Sequence, residues 1–101
     1  MPAAYILVDM QISDMEQYKQ YMAEGPAVVA AAGGEYMVRG GKIETLEGQW
    51  NPQRMVMLRF PSYDQAKAFY DSEAYRRVRA KRQSATEFFN MVLIEGVSAP
   101  V

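Results

Sequence analysis

The chain has 101 residues, 50% of them hydrophobic, a formal net charge of −1, and neither cysteine nor histidine. This length and apolar content predict one domain over residues 1–101 with a core of its own. The missing residue types exclude disulfide frameworks, Ser-His-Asp and Cys-His hydrolases, and metal or haem sites that use histidine or cysteine ligands. Any chemistry must therefore come from Asp, Glu, Arg, Lys or Tyr, or from the substrate itself.

The charge balance and the start of the chain bear on partners and location. Eleven Lys and Arg residues stand against twelve Asp and Glu residues, so no overall positive field attracts nucleic acid or anionic lipid. No apolar run is long enough for a membrane span, and the N-terminal sequence lacks a signal-peptide pattern. We expect a cytoplasmic protein with no nucleic acid or membrane partner. We also expect no cofactor, since the glycine pairs match neither a P-loop nor a dinucleotide fingerprint, and no metal, since histidine and cysteine ligands are missing.

The first elements in chain order are a strand and an interrupted helix. Ala4–Ile12 is short and rich in β-branched and aromatic residues, which is typical of a strand. Ser13 and Glu16 match a capping box, which predicts a helix start. The Gly-Pro pair at 25–26 predicts an interruption, because proline lacks an amide donor and clashes with the preceding turn. A second short helix should then run to the Gly-Gly pair at 33–34.

A hairpin and a strong strand follow. The Gly-Gly pair at 40–41 predicts a tight turn between two short strands, Glu35–Arg39 and residues 42–47. A loop leads to the strand Arg54–Phe60. Ser62 and Gln65 then match a second capping box.

The remaining elements are a helix in two parts and a last strand. The helix should run to about residue 71, begin again at Ser72 and continue from Glu73 towards Ala85. Residues 88–95 complete the order as the final strand. A strand followed by a capping box occurs twice, which favours the split βαβ arrangement of a ferredoxin-like fold. We therefore predict an α+β fold, βαββαβ, with an antiparallel sheet and both helices on one face.

Both faces of this sheet are predicted to be covered. One face carries uniformly apolar side chains, which should meet the helices: Ile6, Val8, Met10, Val56, Leu58, Phe60, Phe89, Met91 and Leu93. The other face is mostly apolar with three polar residues: Tyr5, Leu7, Asp9, Met55, Met57, Arg59, Phe88, Asn90, Val92 and Ile94. Soluble monomers rarely expose an apolar patch of this size. The simplest cover is a second copy packed sheet to sheet, which predicts a homodimer.

An ordered set of residues resembles a known family. Its first part is Tyr21, Gly33-Gly34, Arg39-Gly40-Gly41, Leu46-Glu47-Gly48 and Arg54; its second part is Phe60-Pro61-Ser62, Ala66, Ser72, Tyr75 and Arg82. Over roughly residues 5–96 this order and spacing resemble the domain of unknown function 1330 family, within the dimeric α+β barrel superfamily. The resemblance implies a dimeric barrel and supplies no reaction. Histidines used by several barrel relatives have no counterpart in this chain.

Three charged residues are predicted to lie at the edge of a dimer cavity. Arg39 and Arg54 could clamp a carboxylate or enolate, and Glu47 could act as a catalytic base if burial raised its pKa. The structural alternative is that Glu47 pairs with one arginine and holds the loop. Trp50, the only tryptophan, is either a lid over bound substrate or an anchor at the dimer contact.

Further candidates lie on the second sheet face and on the helices. Asp9 is a possible proton acceptor inside the dimer, with Asn90 beside it as a binding residue; alternatively, Asp9 pairs with Arg59 or reaches water. Helical spacing places Arg82 along the apolar stripe of its helix, so it needs an anionic partner, and a structural salt bridge is favoured over a bound anion. Tyr21 completes the set of candidate substrate-binding residues.

Two functions remain open from the sequence. One is a cofactor-independent enzyme acting on a small acidic or aromatic metabolite, working by orientation and modest acid–base help. The other is a non-catalytic small-molecule-binding or structural dimer, in which the same charges only hold the loops. An RNA-recognition function is rejected, since the third strand offers Met55, Met57 and Arg59 where such domains need aromatic residues for base stacking.

Overall fold

A four-stranded antiparallel sheet carries three helices on one face in the computed structural model, which describes residues 2–98. The elements are β1 (Ala4–Ile12), α1 (Met15–Ala31), β2 (Glu35–Arg39), β3 (Arg54–Phe60), α2 (Tyr63–Asp71), α3 (Glu73–Ala80) and β4 (Thr86–Glu95). The strand order is β2-β3-β1-β4, so β2 and β4 are the edges. The predicted α+β architecture is confirmed.

The two central strands set the register of the sheet. β1 pairs with β3 so that Ile6 lies opposite Leu58, and with β4 so that Ile6 lies opposite Leu93. Because side chains alternate along a strand, this register puts the predicted apolar set on the helix side. The buried core there also includes side chains from all three helices: Tyr18, Val29, Ala66, Phe69, Tyr75 and Val78.

The first helix is continuous, so the predicted interruption at 25–26 is wrong. α1 runs through Pro26, whose missing amide would have bonded the carbonyl of Met22, four residues earlier. That carbonyl instead accepts a hydrogen bond from Nη2 of Arg39 at 3.2 Å. A side chain from β2 therefore replaces the donor that proline removes.

The helix ends are partly as predicted. Asp14, not Ser13, is the N-cap of α1, and its side chain accepts from the Gln17 amide at 3.1 Å. The backbone amide of Ser13 is already bound to the Ala85 carbonyl. Ser62 and Ser72 cap α2 and α3 as predicted. α1 ends at Ala31 with Ala32 as its C-cap, and the next residue, Gly33, has a φ of 87° in the left-handed region that glycine adopts without strain.

Two predicted boundaries change. Residues 42–47 form no strand: they are an exposed part of the loop between β2 and β3. α3 ends at Ala80 and not near Ala85, because a turn with Ser84 at φ 70° redirects the chain so that β4 begins at Thr86. Within residues 2–98 no helix is long and apolar enough to cross a membrane.

The two faces of the sheet differ in cover. On the helix side Ile6, Val8 and Met10 are no more than 2% exposed. On the opposite side, which we call the open face, Val92 and Ile94 are 51% and 50% exposed. The predicted second apolar face therefore exists and has no cover from the described part of its own chain.

Candidate functional site

A small pocket lies on the helix side, between α1 and the sheet. It encloses about 30 Å³ and is lined by Val8, Met10, Tyr18, Tyr21, Met22, Tyr36, Arg39, Arg54, Val56, Leu58, Phe89 and Met91. That volume corresponds to one or two water molecules or a group of similar size. The exposed side chain of Arg39 marks its mouth. Three of the predicted binding residues, Tyr21, Arg39 and Arg54, meet in this pocket.

Arg54 enters the pocket from the start of β3 and packs against a glycine. Gly40 has φ of 71°, and a Cβ atom there would lie only 2.1 Å from Nη1 of Arg54. A side chain at position 40 is therefore excluded both by backbone conformation and by the guanidinium. Nε of Arg54 is buried and has no hydrogen-bond partner among residues 2–98.

Arg82 adjoins the same pocket from the turn after α3. Its Cζ atom lies 3.5 Å from the ring centroid of Phe89 and 5.3 Å from that of Tyr21. These distances indicate cation–π contacts with both rings. The favoured salt bridge is wrong, because no carboxylate in the described chain pairs with Arg82, and its buried Nε is also unpartnered.

Arg39 is held in place by groups that do not neutralise its charge. It donates to the Met22 carbonyl, and its Cζ lies 4.7 Å from the Tyr36 ring centroid. None of the ion pairs formed within residues 2–98 involves Arg39, Arg54 or Arg82. Arg39 and Arg54 therefore line the pocket without a carboxylate partner, and Arg82 lies beside it against the Tyr21 and Phe89 rings. This arrangement of positive charge suits an anionic ligand.

Tyrosine hydroxyls supply neutral polar groups beside these arginines. Burial raises the pKa of Tyr18 to about 12, although the nearby Arg54 and Arg82 charges oppose the shift. Burial also raises the pKa of Tyr21, and the adjacent Tyr75 adds to the effect; their hydroxyl oxygens are 2.7 Å apart. Burial raises the pKa of Tyr36 in the same way. These phenols stay protonated near neutral pH and can donate hydrogen bonds but cannot act as bases.

Glu47 does not join the arginines. It is exposed in the loop between β2 and β3 and lines a shallow groove with Ile43, Leu46 and Trp50. The described chain contains no ion pair between Glu47 and Arg39 or Arg54, so the predicted structural pairing is wrong. Glu47 lies between Arg39 and Arg54 in sequence, on the loop that joins them, but its carboxylate is exposed to solvent.

A second group of predicted residues meets on the open face. The indole Nε1 of Trp50 donates to Oδ2 of Asp9 at 3.1 Å, and Asn90 lies opposite Asp9 on β4. With Leu7 and Val92 these residues line an open pocket of about 250 Å³. Oδ1 of Asp9 is buried and has no hydrogen-bond partner in residues 2–98. The considered pairing of Asp9 with Arg59 is wrong, since Arg59 pairs with Glu35 at 3.3 Å.

The sequence predictions missed several polar groups of the helix-side pocket. Tyr18 and Tyr36 have no predicted role, and Tyr75 appears in the sequence predictions only as part of the family resemblance. A signal for one contact did exist: Pro26 leaves the Met22 carbonyl without its helical donor, and Arg39 supplies the replacement. Across residues 2–98 no three acidic side chains cluster closely enough to hold a metal ion.

The fold is shared with solved proteins of low sequence identity. A protein of unknown function from Rhodopseudomonas palustris superposes with a TM-score of 0.74 at 16% identity, covering 96% of this chain and 84% of that one. A dimeric ferredoxin-like protein of unknown function from Jannaschia sp. gives 0.67 at 14% identity, with coverages of 95% and 99%. A proposed antibiotic biosynthesis monooxygenase from Nitrosomonas europaea gives 0.58 at 13% identity, with coverages of 98% and 93%.

These neighbours confirm a ferredoxin-like fold, as predicted. No curated protein matches the chain. One family does match by sequence, over residues 3–97, and its description is a domain of unknown function (DUF1330). The match spans nearly the whole chain and agrees with the ordered motifs that run from Tyr21 to Arg82. This protein is therefore a member of the DUF1330 family.

Proposed function

We propose that this protein is a cytoplasmic homodimer that binds a small acidic or aromatic metabolite in the helix-side pocket. The observation that carries the proposal is the pair of buried, unpartnered Nε atoms of Arg54 and Arg82. A buried donor without a partner costs free energy, and a ligand carboxylate in the pocket that Arg54 lines would remove that cost for Arg54. The nearby charge of Arg82 would add to the attraction for an anion.

The shape of the pocket limits how such a ligand could bind. The enclosed 30 Å³ has room for a carboxylate-sized group, and the rest of the molecule would extend through the mouth near Arg39. The rings of Tyr36 and Phe89 line the pocket, and the neutral Tyr21 hydroxyl is free to donate to a ligand when the Tyr75 hydroxyl donates to it. A planar, aromatic carboxylate complements these side chains best, since its charge meets guanidinium groups and its ring meets aromatic faces.

The homodimer is supported by the open face and by its neighbours. Val92 and Ile94 are half exposed beside Leu7 and Met57, and solved neighbours include dimeric ferredoxin-like proteins. In sedimentation equilibrium we expect the mass of two 11.5 kDa chains. Met57→Glu should give folded single chains, because it puts a charge in the middle of the apolar face. A wild-type protein that stays a single chain at high micromolar concentration would refute the dimer.

Ligand binding is tested with a charged and an uncharged probe of the same shape. We expect benzoate to raise the melting temperature and to give a measurable heat of binding, and benzamide to do neither. Arg54→Met should weaken benzoate binding at least tenfold, the effect of losing a charge-assisted hydrogen bond worth about 1.5–3 kcal/mol.

Arg76→Met is the matched control for this substitution. Arg76 lies on the exposed surface of α3 and its nearest carboxylate is that of Glu73 at 4.0 Å. We expect this variant to bind benzoate like the wild type. Equal affinity for benzoate and benzamide, or unchanged benzoate binding by Arg54→Met, would show that the pocket is not an anion site.

A cofactor-independent enzyme is the second candidate, favoured by the buried, unpartnered Oδ1 of Asp9. A dimer would enclose the open-face pocket around Asp9, Trp50 and Asn90 and would exclude water from this carboxylate. Asp9 would then accept a proton from an acidic substrate, Asn90 and Trp50 would orient that substrate, and Glu47 would be a second acid–base group at the loop. Some structural neighbours are proposed monooxygenases, which suggests enolisable acids and phenols as the first substrates to test.

The enzyme candidate is tested by turnover of such substrates with an oxygen electrode and product analysis. Asp9→Asn keeps the side-chain shape and should abolish turnover, whereas Glu44→Gln, elsewhere in the exposed loop, should leave it unchanged. Turnover that persists in Asp9→Asn would exclude Asp9 as the base. If the protein binds benzoate but turns over none of these substrates, the enzyme candidate is refuted and only the binding function remains.

A further inference from the structure

One carboxylate on the open face has an oxygen without a hydrogen-bond donor. Asp9 lies on β1, and its Oδ2 atom accepts the hydrogen bond from Nε1 of Trp50 at 3.1 Å. Its other oxygen, Oδ1, is buried and accepts no hydrogen bond within residues 2–98. A charged oxygen that is removed from water without a compensating donor costs free energy. Oδ1 therefore marks a position where a bound donor would stabilise the protein.

No positively charged side chain of the described chain pairs with this carboxylate. The cross-strand neighbours of Asp9 are Met55 on β3 and Asn90 on β4. Arg59 points to the same face but lies opposite Tyr5, four residues from Asp9 and therefore roughly 13 Å away along the strand. The negative charge of Asp9 is thus left uncompensated by its own subunit.

The residues around Asp9 form a pocket with a single charge. The open-face pocket of about 250 Å³ is lined by Leu7, Asp9, Trp50, Asn90 and Val92. This volume is about eight times the share of one water molecule in the liquid, so a small organic group fits. The amide oxygen of Asn90 is a second acceptor, whereas the remaining walls are apolar or aromatic. Such a pocket attracts a cation and repels an anion.

The indole of Trp50 favours an organic cation over a metal ion. Its Nε1 bond to Asp9 holds the ring beside the carboxylate, and the ring lines the same pocket. Tryptophan is the aromatic side chain that attracts ammonium groups most strongly. The aliphatic walls formed by Leu7 and Val92 offer contacts to a hydrocarbon group and none to a metal ion. An organic ammonium ion therefore matches the pocket in charge and in apolar surface.

We propose that the open-face pocket binds a small organic amine, whose ammonium group donates to Oδ1 of Asp9. The hydrocarbon part of the amine contacts Leu7 and Val92. This site is separate from the helix-side pocket, because Asp9 and Arg54 project to opposite sides of the sheet. The inference does not rest on anion binding or on turnover. If the enzyme candidate holds, the inference restricts its substrates to acids and phenols that also carry an amino group.

Two molecules of nearly the same shape test the charge requirement. Benzylamine is positively charged at pH 7, as alkyl amines are, and benzyl alcohol is neutral. We expect benzylamine to raise the melting temperature and to give a measurable heat of binding, and benzyl alcohol to bind at least tenfold more weakly. Added salt should weaken benzylamine binding, because ions screen the attraction between the charges. Equal affinity for the two molecules would overturn the proposal.

Asp9→Asn tests the proposed acceptor. The amide has the shape of the carboxylate and its oxygen can still accept from Trp50, so the variant should stay folded while benzylamine affinity falls at least tenfold. Asp64→Asn, the same change at an exposed position in the first turn of α2, is the matched control and should bind benzylamine like the wild type. If Asp9→Asn does not fold, the comparison of benzylamine with benzyl alcohol still decides.

Trp50 reports where the amine binds, because it is the only tryptophan in the chain and lines this pocket. We expect benzylamine to change its fluorescence and benzoate, bound on the helix side, to leave it unchanged. Benzylamine binding that leaves this fluorescence unchanged, or that persists at full strength in Asp9→Asn, would overturn the proposal.

A crossed comparison separates this site from the anion pocket. Arg54→Met should lose affinity for benzoate and keep it for benzylamine, and Asp9→Asn should do the reverse. A wild-type protein that binds benzylamine but not benzoate refutes the anion-binding function and leaves this inference standing. A wild-type protein that binds benzoate but not benzylamine refutes only this inference.

Discussion

The two sides of one sheet present the same strands to different surroundings. On the helix side, Ile6, Val8 and Met10 of β1 are almost completely buried under helices of the same chain. On the open face, the alternating residues of that strand, with those of β4, lie without such cover, and Val92 and Ile94 are half exposed. The two sides are similar in hydrophobicity and differ in what packs against them.

This difference shows that alternation within a strand does not identify which face belongs to the core of the subunit. Both faces read as apolar, and only the helix side has its cover within the described chain. The polar residues also divide between the sides: Arg54 and Arg82 lie towards the helices, and Asp9 lies on the open face. In the proposed function, the ligand binds on the helix side and the second subunit packs on the open face.

The largest expected effect is the loss of stability on replacing a buried phenylalanine of the helix side, compared with a partly exposed phenylalanine of the open face. Phe69 on α2 is 2% exposed, with its ring centroid 4.5 Å from that of Tyr75, and Phe88 on the open face is 37% exposed. We expect Phe69→Ala to lower the free energy of unfolding by about 3–5 kcal/mol, because it leaves a cavity in the core. Phe88→Ala should cost less, about 1–2 kcal/mol, in dilute protein, where subunits are separate, since part of its ring is still exposed to water there.

Urea denaturation at several protein concentrations measures both variants. The loss in Phe88→Ala should grow with concentration as the dimer forms, whereas the loss in Phe69→Ala relative to wild type should already be present in dilute protein. Equal losses in dilute protein would mean that the open face is already covered within the subunit. That result would remove the physical difference between the two sides.

A smaller effect is expected from alkaline pH, and it tests the helix side alone. The pKa of Tyr18 is raised from 10.0 to about 12 by burial. Below pH 10 both states hold the proton; between pH 10 and 12 the unfolded chain loses it while the folded chain keeps it. The unfolded state then binds fewer protons, so stability falls as pH rises through this range, by at most roughly 2–3 kcal/mol from this group.

Thermal or urea denaturation at pH 8, 10, 11 and 12 follows this loss. Tyr18→Phe has no hydroxyl to ionise and should lose less stability over the same range. Tyr21, whose pKa is also raised by burial, adds a loss in the same direction in both proteins. If the stability of Tyr18→Phe and that of the wild type decline in parallel, the burial of Tyr18 seen in the structure is refuted.

Much of the fold could be predicted because its signals are local. β1 and β3 have the predicted boundaries, since short β-branched and aromatic runs favour strands wherever they pack. Ser62 and Ser72 cap their helices because a hydroxyl that precedes a helix reaches amides only three residues away. Such contacts depend on neighbours in sequence and need no knowledge of the rest of the chain.

The errors arise where distant residues decide. Pro26 does not end α1 because Arg39, on another element, donates to the freed Met22 carbonyl. Residues 42–47 have a strand pattern, but no strand of the described chain lies beside them. For the same reason, the predicted site residues do not all meet in one place. The sequence placed Glu47 near Arg39 and Arg54, but the loop directs its carboxylate to solvent.

The smallest expected effect concerns the one contact that ties the exposed loop to the open face. Trp50→Phe keeps an aromatic ring but removes the Nε1 donor to Asp9. The bond is exposed, with the Trp50 residue 57% accessible, so we expect the stability of the single subunit to fall by less than about 1 kcal/mol.

Dimer affinity should fall by more than this if the loop contacts the partner, because the bond holds the loop against the face where the partner would pack. Urea denaturation of dilute protein measures the stability of the single subunit, and sedimentation equilibrium measures the dimer affinity. Equal, small changes in both would mean that the tie between Trp50 and Asp9 serves only its own subunit.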